Sequence, residues 1–337
     1  MRIPVFVQVS SGAFGHQILD YEQVLFNCQV LKTKVRPIFF QSSKSANRYF
    51  LKQMKRNHSL LPHFPTIYFH KVLRRLSPTY RTFSLLLEKT DTANLKEIHD
   101  QSICLLASQI QSDKLESKYI STRFSTDRGL VGFVVRDDGY DSENGINLVT
   151  DTNRHRNSSF ESFLPSVDAI LESGRTIIRF GRHNHNVQKL GEYFYDLSDP
   201  SLNGLPESAD FILASKCDFF ISTGSGPDCL GMFFRKPTYL VNTIFPVLPQ
   251  TRIVKKFLIK HYYYTDDFGR KYRLEFEELD EMFERPETIN INLRTGKLFA
   301  ESRSPAEIND FIIHEVLGKR SSRKTSTYSE VAPSVFY

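Results

Sequence analysis

Residues 129–138 read Gly129-Leu130-Val131-Gly132-Phe133-Val134-Val135-Arg136-Asp137-Asp138, and the fold class turns on them. A near-continuous apolar run of this length, rich in branched side chains and without the alternation of a half-wet strand, is the pattern of a parallel strand buried on both faces. It stops abruptly in one cation and two anions. Further runs follow it: Thr176-Ile177-Ile178-Arg179-Phe180, a short Tyr195-Asp196-Leu197, Asp218-Phe219-Phe220-Ile221-Ser222 and Thr238-Tyr239-Leu240-Val241. Helical segments are expected between them, at 158–172, 187–194, 206–216 and 227–234. Ser158-Ser159-Phe160-Glu161 has the form of a capping box at the start of the first, Pro165 is a possible kink within it, and Gly174 is its stop. Strands alternating with helices over short joins predict an α/β protein with a doubly wound parallel sheet.

Upstream, Val5-Phe6-Val7-Gln8-Val9, the turn Ser10-Ser11-Gly12-Ala13-Phe14-Gly15-His16 and a helix over 18–31 form a second α/β opening. A strand at 36–40 and a basic amphipathic helix at 46–56 follow. Residues 59–77 are expected to begin as loop and then form a helix at 70–76; 94–115 reads as helix, and the polar stretch 117–128 as a linker. Two such units in tandem imply a cleft between them. The expected organisation is an N-terminal Rossmann-like domain over 1–125, a C-terminal Rossmann-like domain over 126–317 and a basic tail over 318–337. Beyond Pro246 the pattern weakens, with helices expected at 275–284 and 306–317. A chain of 337 residues suits two domains.

With 40% hydrophobic and 24% charged residues the composition is that of a soluble globular protein, and no apolar run reaches the roughly 18 residues of a bilayer span. The start of the chain lacks the apolar segment of a secretory signal, so a cytoplasmic location is expected. Cys28, Cys104, Cys217 and Cys229 form no C-x-x-C pair and read as reduced core thiols. The net charge of +6 is unevenly placed. Residues 23–87 hold twelve Lys and Arg and no Asp or Glu, so the rest of the chain carries a net −6. Interleaved with Phe39, Phe40, Tyr49, Phe50, Phe64, Tyr68 and Phe69, this stretch fits peripheral contact with an anionic membrane; a phosphorylated acceptor, nucleic acid or a plain solvated face are the alternatives. Nucleic acid is not expected, because no recognised nucleic-acid motif accompanies the charge.

In open α/β sheets the chemistry gathers where strands end at their carboxyl side. Gly12 and Gly15 would let backbone N–H groups approach a ligand, and His16 beside them fits either a general base or a helix cap. Arg136 and Asp137 follow the strand that ends at Val135. Asn153-Arg154-His155-Arg156-Asn157 brings two guanidiniums to a helix start, and Arg179 stands at the next strand end before Gly181. Forked donors at such positions suit a phosphate or a carboxylate; surface salt bridges are the plain alternative. Thr223-Gly224-Ser225-Gly226 leads into a helix with Pro227 in its first turn, a potential anion cradle, although Asp228 competes for the same helix end. Glu207 could accept from ribose hydroxyls or serve only a helix N-terminus. His155, His183 and His185 invite a metal, but no acidic partner is in register, and no metal or cofactor is expected.

From about residue 133 to 246 the chain resembles a family of bacterial glycosyltransferases associated with surface-polysaccharide synthesis. The matching features are Val135-Arg136-Asp137, Arg156-Asn157, Ile178-Arg179-x-Gly181, Asp218-Phe219-Phe220-Ile221 with Gly224-Ser225-Gly226, and Pro237 leading to Val241-Asn242. The turn Gly12-Ala13-Phe14-Gly15-His16-Gln17 is similar to the glycine turn of fucosyltransferase-like enzymes. The resemblance implies a GT-B fold, two Rossmann-like domains facing a cleft, with the nucleotide-sugar donor held by the C-terminal domain and the acceptor by the N-terminal one. It further implies a hexosyl- or deoxyhexosyltransferase that neutralises its leaving diphosphate with arginines instead of a metal and acts on an O-antigen, capsule or other lipid-linked glycan. Arg154, Arg156 and Arg179 would then meet donor phosphate, Gly224, Ser225 and Gly226 the phosphate or distal sugar, and His16 or Asp137 would be the base. A nucleotide-sugar epimerase or hydrolase of the same fold, or a basic binding protein without turnover, would carry many of the same features.

Overall fold

The computed structural model describes residues 3–9, 18, 21, 35–41, 47–57, 59–61, 105–111, 114–137, 154–181, 190–202, 204–244, 254–283, 292–293 and 295–319. Its centre is the apolar run at 129–135. Leu130–Val134 forms β4, and every residue of the strand is buried. Parallel neighbours lie on both sides, β5 (Thr176–Arg179) on one and β7 (Cys217–Ser222) on the other. With β6 (Phe194–Asp196), β8 (Thr238–Thr243) and β9 (Val254–Ile259) they make a six-stranded, all-parallel sheet in the order β6-β5-β4-β7-β8-β9.

The period-two geometry of a strand sends alternate side chains to two separate cores. Val131, Phe133 and Val135 join Ile177, Ile221 and Val241 against α4 (Leu164–Glu172) and α8 (Pro305–Phe311). Leu130 and Val134 join Ile178 and Phe220 against α5 (Ala209–Lys216) and α6 (Cys229–Phe233). Between them Gly132 has a reason to be glycine: a Cβ there would stand 2.4 Å from the ring of Phe220. Helices cover both faces, and the expected α/β class with its doubly wound parallel sheet is present.

The first part of the chain adds a second parallel sheet, β1 (Ile3–Val9), β2 (Val35–Gln41) and β3 (Ser59–Leu61), in that order. Ser59 to Leu61, expected as loop, is thus a strand, because it pairs in register with Ile38 to Phe40. Helix α1 (Arg48–Asn57) follows β2, with Asn47 as its cap: its Oδ1 accepts from Phe50 N at 2.8 Å. One face of α1 buries Phe50, Gln53 and Met54, while Arg48, Lys52, Lys55 and Arg56 are exposed at helical spacing on the other. Phe50 stacks on Phe211 of α5 at 5.4 Å and meets Phe233 of α6 edge-on at 5.8 Å, so the two sheet units share an aromatic junction.

Several expectations need correction. Helix α3 (Lys114–Arg123) runs through the first part of the stretch read as a linker; it follows α2 (Leu105–Gln111) and packs on α5. Its polar surface hid the two anchors that matter, Ile120 and Phe124, four residues apart and buried. Residues 190–193 are a turn, not the end of a helix, because Gly191 takes φ +132° and Phe194 already belongs to β6. Pro165 does not kink a helix. A 3₁₀ turn (Phe160–Phe163), capped by Ser159, comes first, and Pro165 falls in the first turn of α4, where its missing N–H costs nothing. The weakly patterned region past Pro246 holds β9 and an antiparallel sheet of β10 (His261–Thr265), β11 (Lys271–Leu274) and β12 (Leu298–Glu301), together with α7 (Phe276–Phe283). The helices expected at 18–31 and 70–76 and the basic tail fall wholly or mostly outside the described residues. Among the described residues no helix is long and apolar enough to cross a membrane.

Phe50→Ala should remove about 3–5 kcal/mol of stability by opening a cavity in the aromatic junction. Urea unfolding measures this loss; a change under 1 kcal/mol would show that the junction is loosely packed.

Candidate functional site

The chain leaves β4 for β5 and β6 on one side of the sheet, and only afterwards returns to place β7, β8 and β9 on the other. The loops after β4 and β7 therefore diverge, and a crevice at the carboxyl ends of these two strands is the expected ligand site of such a sheet. The polar residues after β4 and β7 meet there. Arg136 N donates to Thr223 Oγ1 at 2.8 Å, while Thr223 N donates to Val134 O at 3.0 Å, which closes the strand ends against each other.

The loop that carries the paired arginines folds over this point. Arg154–Arg156 is a short 3₁₀ turn, and Asn157 follows it. Arg136 Nε donates to Asn157 Oδ1 at 3.1 Å, and Arg156 Nη2 donates to the Gly224 carbonyl at 3.0 Å. The side chain of Arg154 lies outside the described set. Arg136, Arg156, Asn157 and Gly224, four residues singled out from sequence, are thus brought together across β4 and β7.

Arg179 is different. Its side chain is 1% exposed, Nη1 donates to Asp196 Oδ2 at 2.7 Å, Nη2 stands 3.9 Å from Asp137 Oδ2, and the guanidinium lies 4.3 Å over the Phe160 ring. Burial lowers its pKa against the opposing pull of both aspartates. Arg179, expected to meet donor phosphate, lies inside, with its charge facing Asp196 and Asp137 just past the end of β4. Gly181 follows at φ +110°, a conformation that requires glycine.

The glycine loop also differs from the expected cradle. Gly224 N donates to Ser222 Oγ at 3.0 Å and Ser225 N donates to Asp228 Oδ2 at 3.0 Å, so these two N–H groups serve the protein's own side chains. Gly224 takes φ +86°, and a Cβ there would meet Thr243 Oγ1 at 2.9 Å. Gly226 opens the 3₁₀ turn that Asp228 closes. Asp228 is buried, and burial pushes its pKa up to about 6 despite hydrogen bonds from Ser222 and Ser225 and the nearby Arg156.

Three further residues, Asn242, Arg303 and Lys260, join the site. Asn242 lies at a bulge in β8 with φ +55°, a backbone state that asparagine tolerates better than most. Its Nδ2 donates to Ser158 Oγ at 3.1 Å and its Oδ1 accepts from Arg303 N at 2.8 Å, which ties the arginine loop to the segment before α8. Arg303 is balanced by Glu307 at 3.0 Å. Lys260, directly after β9, donates to the Asn157 carbonyl and to Ser302 Oγ, and burial lowers its pKa to about 8. Only the family resemblance had pointed toward Asn242; a lone lysine after an unrecognised strand gave no signal.

Glu207 lies at the other unit: its carbonyl accepts from Asn47 Nδ2 at 3.2 Å, beside the cap of α1. Gly12, Gly15, His16, His183 and His185 are outside the described residues. Among the described residues no group of three or more His, Cys, Asp or Glu side chains is placed to hold a metal. Cys217 and Cys229 are buried thiols.

No protein-family model matches the chain, and no curated protein matches it. Among solved structures it is similar to ADP-heptose lipopolysaccharide heptosyltransferase II of E. coli, at 14% identity over 88% of this chain and 99% of that one, with a TM-score of 0.42. It is similar to a glycosyl transferase family 9 protein of Veillonella parvula, at 11% identity over 92% and 95%, with a TM-score of 0.48. It is also similar to UDP-GlcNAc 2-epimerase of Methanocaldococcus jannaschii, at 11% identity over 92% and 84%, with a TM-score of 0.31.

The folded protein binds the Asp228 proton more tightly than the unfolded chain does. That contribution to stability is fully present below about pH 4 and is lost as pH rises through about 6, at a cost of roughly 3 kcal/mol. Asp228→Asn should therefore gain stability relative to the native protein by about that amount between pH 4 and 7. Urea melts at both pH values read it directly, and parallel pH slopes would mean that the carboxylate is compensated.

Proposed function

We propose that this protein is a glycosyltransferase that moves a sugar from a nucleotide-diphosphate donor to a glycan or lipid-linked acceptor of a bacterial surface polysaccharide. The observation that carries this reading is the convergence of Arg136 and Arg156 on Asn157 and Gly224 at the strand ends where the sheet order reverses. A group arriving there meets guanidinium donors at a site fixed before binding. The sequence resemblance supports the same donor chemistry.

In the reaction an acceptor hydroxyl attacks the anomeric carbon, a new carbon–oxygen bond forms, and the bond to the diphosphate oxygen breaks. The negative charge that builds on the leaving diphosphate needs prepositioned cations, and Arg136 and Arg156 supply them without recourse to a metal ion. Arg154 belongs to the same loop and is assigned the same partner. The hydroxyl proton goes to a base, for which Asp137 and His16 are the candidates. Asp137 stands at the end of β4, held beside buried Arg179. The exposed row Arg48, Lys52, Lys55 and Arg56 on α1 faces solvent on the acceptor unit, where it would meet the anionic headgroups around a lipid-linked substrate.

Thermal-shift binding of GDP, UDP, dTDP and CMP, with and without EDTA, tests this. One nucleotide should stabilise the native protein in EDTA, and Arg156→Ala should weaken that binding by about 10- to 100-fold, the worth of one charge-assisted hydrogen bond. A folded protein that no nucleotide stabilises at millimolar concentration, yet which binds anionic vesicles in a salt-sensitive way, would instead be a basic binding protein.

A further inference from the structure

Lys260 is 3% exposed. Its ammonium has two partners among the described residues, the Asn157 carbonyl and Ser302 Oγ, and both are neutral. No carboxylate of the described residues offsets its charge; burial alone sets its lowered pKa. Glu307, on the adjoining helix, is engaged by Arg303, His261 and Ser304. A buried ammonium with no counter-charge is among the costlier things a fold can hold, and such a group in a crevice is a candidate for a functional charge.

Its location supplies the use. Asn157 is held from both ends by cations, its carbonyl by Lys260 and its side-chain oxygen by Arg136, and the preceding residue is Arg156. We propose that Lys260 is a positioning residue of the anion site. It fixes the Asn157 carbonyl so that Arg136 and Arg156 are presented together at the strand ends, and its charge, which no carboxylate of the described residues offsets, is matched by the diphosphate of the bound nucleotide. This inference rests on the donor-binding reading above and deepens it.

Lys260→Gln keeps a donor for the Asn157 carbonyl and removes only the charge. Calorimetric titration with inorganic pyrophosphate, and with the nucleoside diphosphate that stabilises the native protein, is compared across native, Lys260→Gln and Lys260→Arg proteins. Expected is a Lys260→Gln protein whose unliganded Tm equals or exceeds the native value but whose affinity for both ligands falls about tenfold or more, with Lys260→Arg within about threefold of native. Equal affinity in Lys260→Gln overturns the inference and leaves the donor-binding reading intact. A native protein that binds neither ligand overturns the donor-binding reading itself. A lowered Tm with affinity retained, or failure of both Lys260→Gln and Lys260→Met to fold while Lys260→Arg folds, makes the lysine a structural strut and also overturns it.

Discussion

A strand with a neighbour on each edge and a helical layer on each face has no room for a polar side chain along its length. β4 is under that constraint throughout: all five of its residues are buried, and at Gly132 even a methyl group would collide with Phe220. Its chemistry can therefore appear only where the strand ends. There the order of the sheet reverses, and Arg136 and Asp137 emerge between connections that lead apart. The close packing of the strand and the opening at its end have one cause, since the chain can leave a fully enclosed strand only at its tips.

At that opening the protein treats positive charge in two ways. Arg179 is neutralised by Asp196 and Asp137 and covered by the Phe160 ring, which makes it an internal brace. Lys260, equally buried, rests on a carbonyl and a hydroxyl. Both costs of desolvation are paid by the fold, but only the first is offset by an opposite charge on the same set of residues. Asn242, held at a positive φ in a bulge, belongs to the same design, because its side chain joins Ser158 of the arginine loop to Arg303 before α8.

The two sheet units meet through rings. Phe50 packs against Phe211 and Phe233, and Asn47 caps its own helix while donating to the Glu207 carbonyl. Aromatic stacking leaves the outer side of α1 to its four cations, so one short helix serves the core with one face and presents charge with the other.

Much of the six-stranded sheet was legible because parallel strands buried on both faces write unbroken apolar runs, and β4, β5, β7 and β8 each do so. What escaped had mixed composition: α3 is anchored by Ile120 and Phe124 amid polar residues, and β9 to β11 mix Lys, Arg and Tyr with apolar residues in a way that only strand pairing explains. At the site, the sequence by itself determined which residue types would stand at the strand ends, since the period of each strand fixes where it stops. Only the tertiary structure decided which of those charges are spent internally. Arg156 and Arg179 look alike in sequence, but a side chain's partners are set by residues far away along the chain. Asp196 reaches back to one arginine, the Gly224 carbonyl meets the other, and Lys260 arrives from more than a hundred residues downstream to hold the loop between them.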